Sequence, residues 1–199
     1  TEIVPININE VLLRELMSIN IEIHPSFRLD KNRVKKWVDT MDYIFKEYNE
    51  GRWKENKDRT KKQKFMTKIV FSLEFYRKSF YSPSMEEKIV NLATAFESIL
   101  LDYYGAKSGG TDKTLSKRVE SVFYRKRGKQ KYSEAVQQLY KIRCKIVHNG
   151  FKVDDFNELS LCQLAYVRCF EALFKKKNTL NFKKEQPIRS YFESRGVLN

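Results

Sequence analysis

Residues 84–103 read SMEEKIVNLATAFESILLDY. Ile89, Leu92, Ala93, Phe96, Ile99, Leu100 and Tyr103 recur at steps of three and four, which gathers them on one wide apolar face of an α-helix. Ser84 is a good N-capping residue, and Glu86 and Glu87 fall at the positive helix end. Glu97 stands alone as a carboxylate late in this apolar helix. The same periodicity continues on both sides. Upstream, Phe65 to Phe80 carries apolar residues at 65, 66, 69, 70, 73 and 76, and Ser82-Pro83-Ser84 makes the turn between the two helices. Further back, Asp30 caps a helix expected from Lys31 to Tyr48, with Gly51 as its stop. Val11, Leu12, Leu13 and Leu16 suggest one more short helix, broken at His24-Pro25. His24, held before a proline, is expected to have a local structural role.

Downstream, Gly105 to Gly110 forms a loop and Leu115 to Tyr124 a short basic helix. Ser133 to Val147 follows as a helix stopped by Asn149-Gly150, and a last long helix is expected from Asp154-Asp155 to about Lys177. No strand-like alternation of useful length interrupts this series, and seven Gly and four Pro are too few for many short strands and turns. The class is therefore all-α. The charged run RWKENKDRTKKQK, residues 52–64, is the expected boundary between an N-terminal helical extension, residues 1–60, and a bundle over 61–180. It reads equally as the solvated start of the next helix. Residues 181–199 are expected to form a basic, loosely packed tail, in which Tyr191 and Phe192 are able to dock.

The 199 residues include 41% hydrophobic and 14% aromatic side chains, enough for a real core and too many for general disorder. No apolar run reaches the roughly 20 residues that cross a membrane. TEIVPININE lacks the pattern of a secretory leader, and a start at Thr1 instead of Met suggests a fragment or processed product. Cys144, Cys162 and Cys169 are odd in number and lack CxxC spacing, which argues against a disulfide framework and against zinc and fits a reducing cytoplasm. There is also no Walker, HExxH or dinucleotide signature, so no cofactor is expected.

The formal net charge is +14, which favours a polyanionic partner such as RNA. From Gly105 to Lys145 twelve basic residues face only Asp112, Glu120 and Glu134, so this stretch holds nine of the fourteen net positive charges. Tyr124, Tyr132 and Tyr140 are interleaved with it and suit base stacking; half-buried tyrosines beside merely solvated charge would give the same pattern. The stretch leads into YKIRCKIVHNG, residues 140–150. Ala135, Leu139, Ile142 and Ile146 form its core stripe, with Arg143 on a neighbouring stripe beside Val136, Tyr140 and Val147. His148 lies five positions after Arg143, so on a straight helix they diverge by about 140°. A turn loosened by Asn149-Gly150 would let the imidazole swing toward the guanidinium. Arg binds phosphate and stabilises growing negative charge, while His shuttles a proton. Spacing alone favours a plainer arrangement, with His148 against the last carbonyls of its helix and Arg143 on a carboxylate.

The segment Arg143, four residues, His148 resembles the Rx4–6H motif of HEPN domains, and LYKIRCKIVHNG is similar to the signature of the Apea-like HEPN group. KIVNLATAFESILL resembles that group's second helix, with Glu97 as its acidic residue. The likeness covers about residues 65–177. Cys144 replaces an often polar residue, and Asn149 is inserted before the expected Gly. The resemblance implies a bundle of four or five helices that pairs as a homodimer, with the Arg and His of both subunits in one cleft. It implies a cytoplasmic, metal-independent endoribonuclease of a toxin or antiviral defence system, using 2′-hydroxyl attack with Arg143 and His148 as the catalytic pair. Tyr140, Lys141, Lys145 and Asn149 are the expected RNA or phosphate contacts, and Glu97 the carboxylate that orients Arg143 or a partner in a structural ion pair. Two other roles fit the same residues: a non-catalytic RNA- or nucleotide-binding module, or a dimerisation or docking unit among further domains of a longer chain.

Overall fold

The computed structural model describes residues 31–102, 110–123, 129–174, 180–184 and 186–197. The short helix near Leu12, His24, the loop up to residue 109 and the segment with Tyr124 and three of the basic residues lie outside them. Seven α-helices and no strand occur among the described residues: α1 (Lys31–Arg52), α2 (Lys61–Tyr81), α3 (Met85–Leu100), α4 (Thr111–Val122), α5 (Lys129–Asn149), α6 (Leu159–Phe174) and α7 (Pro187–Glu193). The chain divides into two units between Lys35 and Lys36, and the core lies in the second.

The apolar face of residues 84–103 is the reason α3 occupies the centre. Ile89, Leu92, Phe96, Ile99 and Leu100 are fully buried, and α3 packs against α2, α4, α5 and α6. Ser84 caps it by accepting from the Glu87 amide at 3.2 Å. Tyr166 of α6 is buried against this helix, stacked on Tyr76 at 4.3 Å and edge-on to Phe96 at 5.6 Å. Its hydroxyl shares a 2.7 Å hydrogen bond with Ser72, so the polar tip of this fully buried ring is satisfied.

Several boundaries differ from the sequence expectation for visible reasons. The first helix does not stop at Gly51 but runs to Arg52. Gly51 serves contact instead of termination: a Cβ there would sit 2.8 Å from Cβ of Gln63, which is itself buried. The second helix starts at Lys61, because Thr60 and Gln63 form a reciprocal capping box. Part of the charged run is thus the first turn of a helix, and Trp37 and Ile44 of α1 pack in the same core as α2. The last long helix begins at Leu159, not at Asp154. Glu86 accepts a hydrogen bond from the Val153 amide at 3.1 Å and Phe156 is buried, so the chain between α5 and α6 is pinned before it can turn helical.

The C-terminal segment is more ordered than a loose tail. Asp102, just past α3, accepts from the amides of Ile188 at 3.1 Å and Arg189 at 2.8 Å, capping α7 from a distance of 86 residues along the chain. Ile188 and Phe192 are buried. Arg118, counted in the sequence with the solvated basic stretch, is instead 4% exposed: its guanidinium bonds the Leu100 carbonyl and lies 5.2 Å from the Phe192 ring centre. Its role is to close the end of α3 beneath α7.

Candidate functional site

The site is built on α5, which remains helical through Asn149. Gly150 takes a positive φ of 62° and donates its amide to the Ile146 carbonyl at 3.0 Å, the left-handed exit that the Asn-Gly pair signals. The turn holding His148 is therefore regular, and the divergence of about 140° from Arg143 stands.

Arg143 points inward. Its side chain is 23% exposed and its Nη2 lies 3.8 Å from Oε2 of Glu97, whose side chain is 26% exposed. The Arg143 Nε is buried and has no acceptor among the described residues. One turn earlier, the Tyr140 ring lies 5.5 Å from the Arg143 guanidinium carbon. Burial first, then the Glu97 carboxylate beside its hydroxyl, push the Tyr140 pKa up to about 12, with Thr111 also next to that hydroxyl. Glu97 thus joins Arg143 and Tyr140 on one side of α5.

Lys68 of α2 belongs to the same electrostatic neighbourhood. Its Nζ donates to the Leu101 carbonyl at 2.6 Å, and burial lowers its pKa to about 8 against the opposing pull of Asp102 and Glu97. Neither Lys68 nor Thr111 was singled out in the sequence. The usable signal for Lys68 is its register: it falls between Phe65 and Ser72, both core-facing, on a buried stripe that carries no other charge.

The other predicted residues take the opposite face. Lys141, Lys145 and His148 follow each other at steps of four and three, and all three are exposed, as is Asn149. The Lys145 Nζ reaches over the Phe151 ring at 5.7 Å. Val147 and Phe151, about half exposed, flank His148 with apolar surface. Within one chain the structure joins Arg143, Tyr140 and Glu97, and separately Lys141, Lys145, His148 and Asn149. One face of the Tyr132 ring is taken up by buried Phe123, at 4.2 Å, so at most its other face is open to a base.

Among the described residues no group of three or more His, Cys, Asp or Glu is placed to hold a metal ion. No helix described is long and apolar enough to cross a membrane. Comparison with protein-family models, with curated proteins and with solved structures finds no match.

Proposed function

We propose that this chain is a HEPN-type endoribonuclease that cuts RNA without a metal ion, at a site shared by two copies of its α5 helix. The observation that carries this reading is the sorting of α5 into two basic faces: Arg143 held by Glu97 on one, and His148 with Lys141 and Lys145 on the other. A site needing both an arginine and an imidazole is then most simply completed by pairing α5 with its counterpart in a second subunit. The exposed Val147 and Phe151 supply apolar contact at such a junction.

In this scheme Arg143 binds the scissile phosphate and stabilises the charge that grows on it. One His148 takes the proton from the ribose 2′-hydroxyl as that oxygen attacks phosphorus. The bond from phosphorus to the 5′-oxygen breaks, and the second His148 protonates the leaving oxygen. The products are a 2′,3′-cyclic phosphate and a free 5′-hydroxyl. Lys141, Lys145 and Asn149 hold the flanking backbone, and a role in a toxin or antiviral system fits a nuclease of this kind.

A non-catalytic RNA-binding role is favoured by one specific observation, that Arg143 is already offset by Glu97 and turned away from His148 within the chain. Labelled RNA incubated in EDTA with the wild type, Arg143→Ala and His148→Ala separates the two. Cleavage by the wild type that both substitutions abolish supports the nuclease. Binding without cleavage in all three leaves the module.

A further inference from the structure

A second candidate surface lies away from α5 and shares no residue with it. Tyr43 of α1, the start of α2 and the segment Leu180–Lys183 enclose a solvent-open groove of about 640 Å³. Three of its lining residues are lysines, Lys61, Lys62 and Lys183, and none is acidic. Glu47 offsets Lys62 by a direct hydrogen bond, and Tyr43 holds the same ammonium 4.6 Å from its ring centre. Lys61 and Lys183 are exposed and meet no carboxylate among the described residues. The groove thus has at its rim two cations that meet no carboxylate among the described residues.

Its inner wall is different in character. Phe182 is fixed against Phe65 with ring centres 5.3 Å apart, and behind it Leu180, Met66 and Phe174 continue the apolar surface into the core. The Lys183 amide donates to the Asn181 side-chain oxygen at 3.0 Å, which sets the turn that carries Lys183. Cations at the rim and aromatic rings at the wall are the two features that recognise a nucleotide, since ammonium groups hold phosphate and rings accept a base face. The positive end of α2 opens onto the same groove and adds to its field.

We infer that this groove binds a nucleoside phosphate, either free or as one unit of an RNA strand, with Lys61 and Lys183 on the phosphate and Tyr43 and Phe182 against the base. The site does not depend on the nuclease reading, because binding here requires neither Arg143 nor His148.

The test is calorimetric titration of the full chain carrying His148→Ala, so that no cleavage intervenes. The probes are adenosine monophosphate, a short oligoadenylate, inorganic phosphate and polyglutamate. Saturable binding of the mononucleotide, the oligonucleotide or both is expected, and their relative affinities tell a free nucleotide from an RNA strand. Charge reversal with Lys61→Glu and Lys183→Glu together should weaken it roughly tenfold, with the fold retained because both side chains are exposed and a carboxylate at the start of α2 favours the helix. Amide resonances of Lys61, Lys62 and Lys183 should shift on titration. Inorganic phosphate or polyglutamate binding as tightly as the nucleotide overturns the proposal. So does an unaltered affinity in the double variant, or no nucleotide binding at millimolar concentration.

Discussion

Arg143 of α5 and Glu97 of α3 face each other across 3.8 Å, outside hydrogen-bonding reach, with each side chain about one-quarter exposed. The pair is close enough for attraction and too loose to lock the guanidinium. Partly hydrated ion pairs of this kind contribute less than about 1 kcal/mol to stability. Its significance is directional: the carboxylate keeps the arginine on one side of its helix.

Replacing Glu97 with Gln keeps the shape and removes the charge. Stability in a urea titration should change by less than about 1 kcal/mol. Under the proposed nuclease reading, RNA cleavage should fall by about tenfold as Arg143 loses the charge that draws it toward α3, while affinity for RNA holds or rises because one negative charge is gone. Wild-type turnover in Glu97→Gln would remove the carboxylate from the site.

Lys68 gives a pH dependence with a definite sign. Its folded pKa, about 8, lies below the ordinary lysine value of 10.5. Between those values the unfolded chain binds the extra proton, so stability rises with pH across that window. The penalty of burying the ammonium is fully present below about pH 8 and is gone once the unfolded lysine is also neutral. Denaturation curves from pH 7.5 to 10 should therefore show a rising component in the wild type that Lys68→Met lacks.

Gly51 should tolerate no side chain. An alanine gains about 1 kcal/mol of helix propensity. Its methyl group meets Cβ of Gln63 at 2.8 Å, and Gln63 is buried and bound into the cap of α2. Overpacking of this sort costs about 1–3 kcal/mol, so Gly51→Ala is expected to lower the midpoint of thermal unfolding. A rise would mean that α1 and α2 separate freely.

Asp102→Ala removes both acceptors from the start of α7. Loss of a helix cap costs about 0.5–2 kcal/mol. Amide exchange should accelerate first at Ile188 to Phe192, ahead of the bundle core. Uniform acceleration across α3 and α6 would show instead that α7 opens only with the whole fold.

The helices were legible because their apolar residues recur at helical steps, most clearly from Ile89 to Leu100. The ends were less legible where a distant contact decides them. Gly51 carries a stop signal that Gln63 converts into a packing position. Asp154 carries a start signal, but Glu86 holds the neighbouring backbone at Val153 and the helix waits until Leu159. At the site, the spacing of Arg143 and His148 gave their divergence, and Glu97 was named from its place on an apolar helix. The role of Lys68 was not visible, because its neighbours come from the far end of α3. Arg118 looked like surface charge for a related reason: the carbonyl and the ring that receive it lie 18 and 74 positions away along the chain.

The placement of α7 sets how small a working fragment can be made. Phe192 roofs Arg118, and Asp102 is satisfied by backbone from the same short helix. A protein trimmed at Phe174 would bare a wet seam along α4 and leave a carboxylate without its clients, so a minimal expression product should extend through at least Val197.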